Sequence, residues 1–202
     1  LSEKKYKKFQ GISNGTYKGF ARIYVLATEI VAYTDNKIDD EVLNSSLLAY
    51  KRKKSLSMEE IWNLRVFLDL AIIENIRGIC EKIYISQIQK YKVEEIVERL
   101  IEKKDSAHQE YKKIKENTKL YQNSSYPFIE YMSYKLKKYG KIGNSFLAVL
   151  EEQVNKLGLT ASDVIRKEHF DIAIQKVLMG NSITSIREIK RINFLELFEK
   201  IN

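Results

Sequence analysis

Glu74, Asn75 and Arg77 stand inside an isoleucine-rich stretch, DLAIIENIRGICEKI from Asp69 to Ile83. At about 100° per residue, Ile72, Ile76, Ile79, Cys80 and Ile83 fall on one side of a helix, with Glu74, Arg77 and Glu81 opposite. Arg77 is then a neighbour of Glu74 at i,i+3 and of Glu81 at i,i+4, the spacing of a solvated ion-pair ladder. The preceding half reads differently. Ile61, Trp62, Leu64, Val66, Phe67, Leu68, Leu70 and Ala71 surround the helix almost completely, and its polar pair, Arg65 and Asp69, points along the later isoleucine stripe. A helix apolar nearly all round has neighbours on several sides, so Trp62 is expected in the core. At least one polar set must then be partly buried and paired, because an unpaired buried charge is very costly. Arg22 and Glu29 of an upstream helix are the expected partners.

The sequence carries no motif for other familiar chemistries. No Asp-x-Asp element is present, and the acids of DNKIDDE fit capping and turn formation; an EF-hand loop would need oxygen ligands at alternating positions and a glycine. His108 and His169 lie far apart with no cysteine or carboxylate at ligand spacing, which speaks against zinc. The sequence holds no GxxxxGK[ST], GxGxxG or GxSxG. Glu59/Glu60 and Glu151/Glu152 are adjacent on helices and point apart, so neither pair can share one substrate atom. The lone Cys80 shares the isoleucine stripe and is expected buried as a small hydrophobe. The 13 tyrosines are scattered, which favours packing over a stacking platform. No catalytic residue, metal ligand or cofactor is assigned.

The elements that position these residues read as helices. Ala21–Tyr33 is apolar at Ile23, Leu26, Ala27, Ile30 and Val31; the turn TDNKID follows, and Asp39 caps EVLNSSLLAYKRKK. Ser57 and Glu60 form a capping box for a helix running from Met58 into the mid-80s. Further helices are expected over the lysine-rich stretch from Gln89, over Phe128–Tyr139, stopped by Gly140 and Gly143, and over Asn144–Leu157, ended by Gly158. Thr160 with Asp163 caps one running to Met179 and closed by Gly180, and Ser182–Arg191 and Asn193–Ile201 are two short ones. The expectation is an all-α chain, a single multi-helix globular bundle of about eight or nine helices. One domain covers 1–202, with a long surface connection and a subdivision near 118–127. The chain opens on Leu1 rather than Met, so a piece cut from something longer is expected.

A hydrophobic fraction of 44% excludes a disordered chain, and no apolar run reaches the roughly 18 residues of a membrane span. The net charge of +8 suits an anionic partner such as nucleic acid, nucleotide phosphate or lipid headgroups, but the lysines are spread among acids, so a solvated lysine-rich surface is the plainer reading.

RIYVLATEIVAYTDNKIDDEVLNSSLLAYKRKKSLSMEEIWNLRVFLDLAIIENIR carries an arginine-tyrosine start, an EhVAhTDxxID turn, an AYQ-like helix end, a tryptophan entry and an ALIEN[LI]R-like core. FLAVLEEQVNKLGLTASDVIRKEHFDIAIQKVLMGNSITSIREIKRINFLELFE carries LxxxGLT, GNSIxSLR and an aromatic-acidic close. In this order the two blocks resemble the N-terminal helical region of cyclic β-1,2-glucan synthases, with the match weakest from Lys90 to Tyr126. The resemblance implies a fragment of a very large inner-membrane enzyme. That enzyme would polymerise glucose from UDP-glucose on a protein-linked primer and then cyclise the chain. This region would precede the membrane spans and the transferase domain on the cytoplasmic side, the fragment itself being soluble. Pattern positions here are Arg22, Glu29, Asp35, Asp39, Trp62, Glu74, Asn75, Arg77, Gly180, Asn181, Ser182 and Arg187. Asp69 departs from a basic residue in the pattern and Lys51 from a glutamine.

The expected function is thus a non-catalytic accessory or scaffold domain of such a synthase. Its partners would be the transferase and membrane domains of the same parent chain, β-1,2-glucan and an anionic membrane surface. Arg22, Glu29, Trp62, Arg65, Glu74, Asn75, Arg77, Asn181 and Arg187 are the candidate binding residues. Two alternatives stay open: a self-standing basic nucleic-acid-binding module, the less favoured partner, and a glucan-binding module using Trp62 or a turn at Gly180–Ser182.

Overall fold

The computed structural model describes residues 9–102, 126–156 and 158–201. Seven α-helices occur among them: α1 Arg22–Tyr33, α2 Asp40–Lys51, α3 Met58–Glu102, α4 Tyr126–Leu136, α5 Gly140–Lys156, α6 Ala161–Ile189 and α7 Phe194–Ile201. A 3-10 turn, Lys137–Tyr139, joins α4 to α5. No strand forms among the described residues beyond an isolated antiparallel bridge between Gly11 and Ala21. The all-α expectation holds, and the count of eight or nine is corrected to seven among the described residues.

The helix starts follow local chemistry. The Asp39 side chain accepts from the Val42 N–H at 2.9 Å, capping α2. Before α3, the Ser57 N–H donates to Glu60 Oε2 at 2.8 Å and the Glu60 N–H donates to Ser57 Oγ at 3.2 Å, a reciprocal box. Thr160 and Asp163 make the same exchange ahead of α6, at 3.2 and 3.1 Å. Gly158 takes φ of 72° between α5 and α6, a left-handed conformation that glycine adopts without strain.

The stops differ from expectation. The helix expected to end in the mid-80s runs 45 residues to Glu102. Likewise α6 passes through Gly180 to Ile189, so no turn exists at Gly180–Ser182 and the short helix expected there is part of α6. An interior glycine costs about 1 kcal/mol relative to alanine. Burial of Ser182, Ser185 and Ile189 on the segment that follows offsets that cost. The expected subdivision near 118–127 and most of the connection around it lie outside the described residues.

Contacts divide the chain into two compact units, one of residues 1–79 with 175–202, the other of residues 80–174. The first has a core built from Ile23, Ala27, Ile30, Leu43, Leu47, Ile61, Leu64, Phe67, Leu68, Ile72, Leu197 and Ile201, with Phe9 edge-on to Phe67 at 5.2 Å. The second buries Val93, Ile96, Val97, Phe128, Ile129, Met132, Leu150 and Val154. Each fully buried aliphatic or phenyl side chain contributes about 1.5–3 kcal/mol.

Candidate functional site

All nine candidate binding residues fall in the first unit. The turn after α1 organises several of them. Asp35 and Asn36 both take left-handed backbone angles, φ of 49° and 64°, which asparagine and aspartate tolerate better than other side chains. Asn36 is 1% exposed, and its polar atoms are met from two helices. Its Nδ2 donates to Ser182 Oγ at 2.8 Å on α6, and its Oδ1 accepts from Asn75 Nδ2 at 2.6 Å on α3. Ser185 Oγ donates to the Asn36 carbonyl at 2.7 Å and accepts from the Ile38 N–H at 2.7 Å. Asn181 Nδ2 donates to the Asp35 carbonyl at 2.9 Å. The buried groups of this left-handed turn, the Asn36 side chain and carbonyl and the Ile38 N–H, are thereby paired, as buried polar groups require, while the Asn181–Asp35 bond lies at the surface.

Arg22 forms the second buried polar feature. Its Nε donates to Glu60 Oε1 at 2.6 Å, and its Nη2 donates to Glu60 Oε2 at 2.5 Å and to the Ser55 carbonyl at 3.0 Å. The two side chains are only 12% and 3% exposed. Burial works against the charged form of Glu60, yet the Arg22 guanidinium and the Ser57 donors outweigh it and hold the carboxyl below its ordinary range. The expected partnership is therefore corrected: Arg22 engages the capping glutamate of α3 and neither of the named polar sets. Glu29 is exposed and accepts from the Tyr17 hydroxyl at 3.0 Å.

The polar sets on α3 separate. Glu74 and Arg77 form the solvated i,i+3 pair expected of them, Arg77 Nη2 donating at 2.6 Å with both side chains more than half exposed. Arg65 and Asp69, the other set, are both half-buried, and the Asp69 carboxyl bears the cost. Desolvation raises it above the usual range against the opposing fields of Arg65 and Lys190. Arg187 is exposed on α6.

Two placements correct the sequence reading. Trp62 is 56% exposed instead of lying in the core, and Val66, Leu70 and Ile73 are exposed with it at steps of three and four residues. Cys80 is exposed as well, and Ile83 with it. The first half of α3 is apolar nearly all round, but the first unit's core covers only its Ile61, Leu64, Phe67, Leu68, Ala71 and Ile72 side. Asn36, Ser185 and Glu60 are members of these networks that the candidate set lacks; the TDNKID turn and the polar Ser182/Ser185 pair at i,i+3 are their traces in the sequence.

In the second unit a cleft of about 480 Å³ is walled by Tyr126, Leu159, Val164 and Phe170. Its rim cations are engaged: Arg166 pairs with Asp163 at 2.9 Å, and Lys167 Nζ sits 4.8 Å above the Tyr126 ring. Among the described residues, no group of three His, Cys, Asp or Glu side chains could hold a metal ion. No described helix is long and apolar enough to cross a membrane.

The chain is similar to a cyclic β-(1,2)-glucan synthase. NdvB of Rhizobium meliloti (strain 1021), which bears that name, is 23% identical over 181 residues, 90% of this chain. That alignment spans only 6% of the length of NdvB. No protein-family model matches the chain. Against NdvB, the likeness is that of nearly the whole chain to a small region of a far longer protein.

Proposed function

We propose that the chain is a non-catalytic helical accessory domain of a cyclic β-1,2-glucan synthase, whose parent activity is glucosyl transfer from UDP-glucose to a growing β-1,2-glucan. One observation carries the reading: 90% of the chain aligns with 6% of NdvB, while Arg22, Asp35, Asn75, Asn181 and Ser182 are engaged in internal hydrogen bonds. Those groups hold helices and a turn together instead of lining an open catalytic cleft. The partners in this reading are the transferase and membrane domains of the same parent protein, at the cytoplasmic side of the inner membrane. Incubating the chain with UDP-glucose labelled in the sugar and a short β-1,2-gluco-oligosaccharide is the test. No label enters the oligosaccharide if the domain is accessory; measurable chain extension would make it a transferase and end the proposal.

The exposure of Trp62 favours a second reading, glucan binding. Arg65 and Asp69 lie three and seven residues further along the same helix, so an open aromatic face stands beside polar groups able to meet sugar hydroxyls. Trp62 is the chain's single tryptophan, so its fluorescence reports this face alone. A saturable change with linear β-1,2-glucan, absent with UDP-glucose, supports chain handling; an unchanged spectrum leaves only the scaffold.

A further inference from the structure

The second unit presents a corner where α4 gives way to the 3-10 turn Lys137–Tyr139 and then to α5. From Tyr131 to Leu150 the sequence has no aspartate or glutamate and four lysines, Lys135, Lys137, Lys138 and Lys141. Lys135 is neutralised by Glu94 at 2.6 Å. Lys137, Lys138 and Lys141 are exposed, and no described carboxylate pairs with any of them. Tyr134 and Tyr139 beside them are 51% and 40% exposed.

The corner is held in shape by its backbone. Gly140 has φ of 55°, and a Cβ on Gly143 would come within 1.9 Å of the Leu136 carbonyl oxygen. The first turn of α5 therefore abuts the last turn of α4, with the lysines projecting from a compact bend.

We infer that the Lys137–Lys138–Lys141 corner, with Tyr134 and Tyr139, docks on an anionic lipid bilayer surface. The charge is complementary to such a surface, and half-exposed tyrosines suit the headgroup zone, where an apolar ring and a wet hydroxyl are both accommodated. The rival polyanion, single-stranded nucleic acid, gains affinity by stacking bases on free aromatic faces. Two of the three rings here are already engaged: Tyr131 and Tyr134 stack on one another at 6.0 Å, Lys138 lies 4.2 Å over Tyr134, and Lys90 and Lys135 lie over Tyr131, which leaves Tyr139 alone where a run of bases needs successive platforms. A lipid surface needs only exposed ammonium groups, which Lys137 and Lys141 present and to which Lys138 adds its charge from beside the Tyr134 ring, where it donates to the hydroxyl at 2.8 Å. The inference stands on this unit's residues and does not depend on the glucan synthase reading.

Each lysine near an anionic leaflet is worth about fivefold in partitioning, so neutralising three costs roughly a hundredfold. The test is sedimentation of the chain with phosphatidylcholine vesicles with and without phosphatidylserine, at low and at physiological salt. The unaltered chain is expected to sediment with the serine-lipid vesicles and to be released by salt. Lys137→Gln, Lys138→Gln and Lys141→Gln together should abolish this with an unchanged circular dichroism spectrum. Neutralising Arg52, Lys53 and Lys54 instead should leave binding intact. Three results overturn the proposal: equal sedimentation with both vesicles, undiminished binding by the triple variant, or a single-stranded oligonucleotide displacing the chain from vesicles while retaining the triple variant equally well.

Discussion

Asn75 donates from its side chain to the side-chain oxygen of Asn36 at 2.6 Å, joining the long helix α3 to a turn 39 residues earlier. That contact gives the Glu-Asn-Arg set on α3 two separate duties. Glu74 and Arg77 are solvated, whereas Asn75 reaches toward the buried turn. Replacing Asn36 tests the arrangement. Asn36→Ala removes the bonds to Asn75 and Ser182 and adds the left-handed backbone penalty, for a loss of about 3–5 kcal/mol by urea denaturation. Asn36→Gly keeps the backbone angle and should be milder by about 1 kcal/mol. Equal losses would mean that the turn relaxes out of the left-handed region.

Arg22 and Glu60 should show the asymmetry of a buried pair. Arg22→Met strands the Glu60 carboxylate and is expected to cost about 3–5 kcal/mol, while Arg22→Met with Glu60→Leu recovers most of it. The Glu60 carboxyl is held low in the folded state, so its contribution is present above the ordinary carboxylate pKa and is lost as pH falls through the depressed one. In Glu60→Gln, acid unfolding should flatten over that interval; an unchanged acid limb would remove Glu60 from the account.

Glu168 has the opposite sign. It is 5% exposed, and burial, reinforced by Glu130 and Asp171, pushes its carboxyl above the usual range against the weaker pull of Lys90 and His169. The folded state thus binds a proton more tightly than the unfolded one. Stability falls as pH rises from the unfolded pKa through the folded one. Glu168→Gln should therefore raise Tm at neutral pH, with the gain vanishing at pH values below the ordinary carboxylate range. A melting temperature lowered at neutral pH would contradict this.

Gly143→Ala places a Cβ against the Leu136 carbonyl and should destabilise the second unit by about 1–3 kcal/mol, visible as reduced amide-exchange protection around Met132 and Leu150. Protection unchanged from the parent chain would show that the corner yields.

What the sequence disclosed was what neighbours along the chain decide. The caps at Asp39, Ser57/Glu60 and Thr160/Asp163 each involve residues three apart, and all are present. Helix ends were harder: glycine disfavours helix at Gly180, but burial of Ser182 and Ser185 against the turn outweighs that preference. Periodicity also sorts α3 into faces without saying which one a neighbour covers, which is why Trp62 and Cys80, expected in the core, stand exposed. In the candidate site, the sequence points to Asn75 and Asn181 but not to their roles. Their partners, Asn36 and the Asp35 carbonyl, are 39 and 146 residues away, beyond any local rule.

Gly143 bears on heredity. Every missense change at a glycine codon introduces a residue with a Cβ, and here that atom has a carbonyl oxygen in its place. The codon cannot drift without disturbing the bend that displays Lys137, Lys138 and Lys141. Descendants that keep the bend should keep this glycine, even where the surrounding letters have changed beyond recognition.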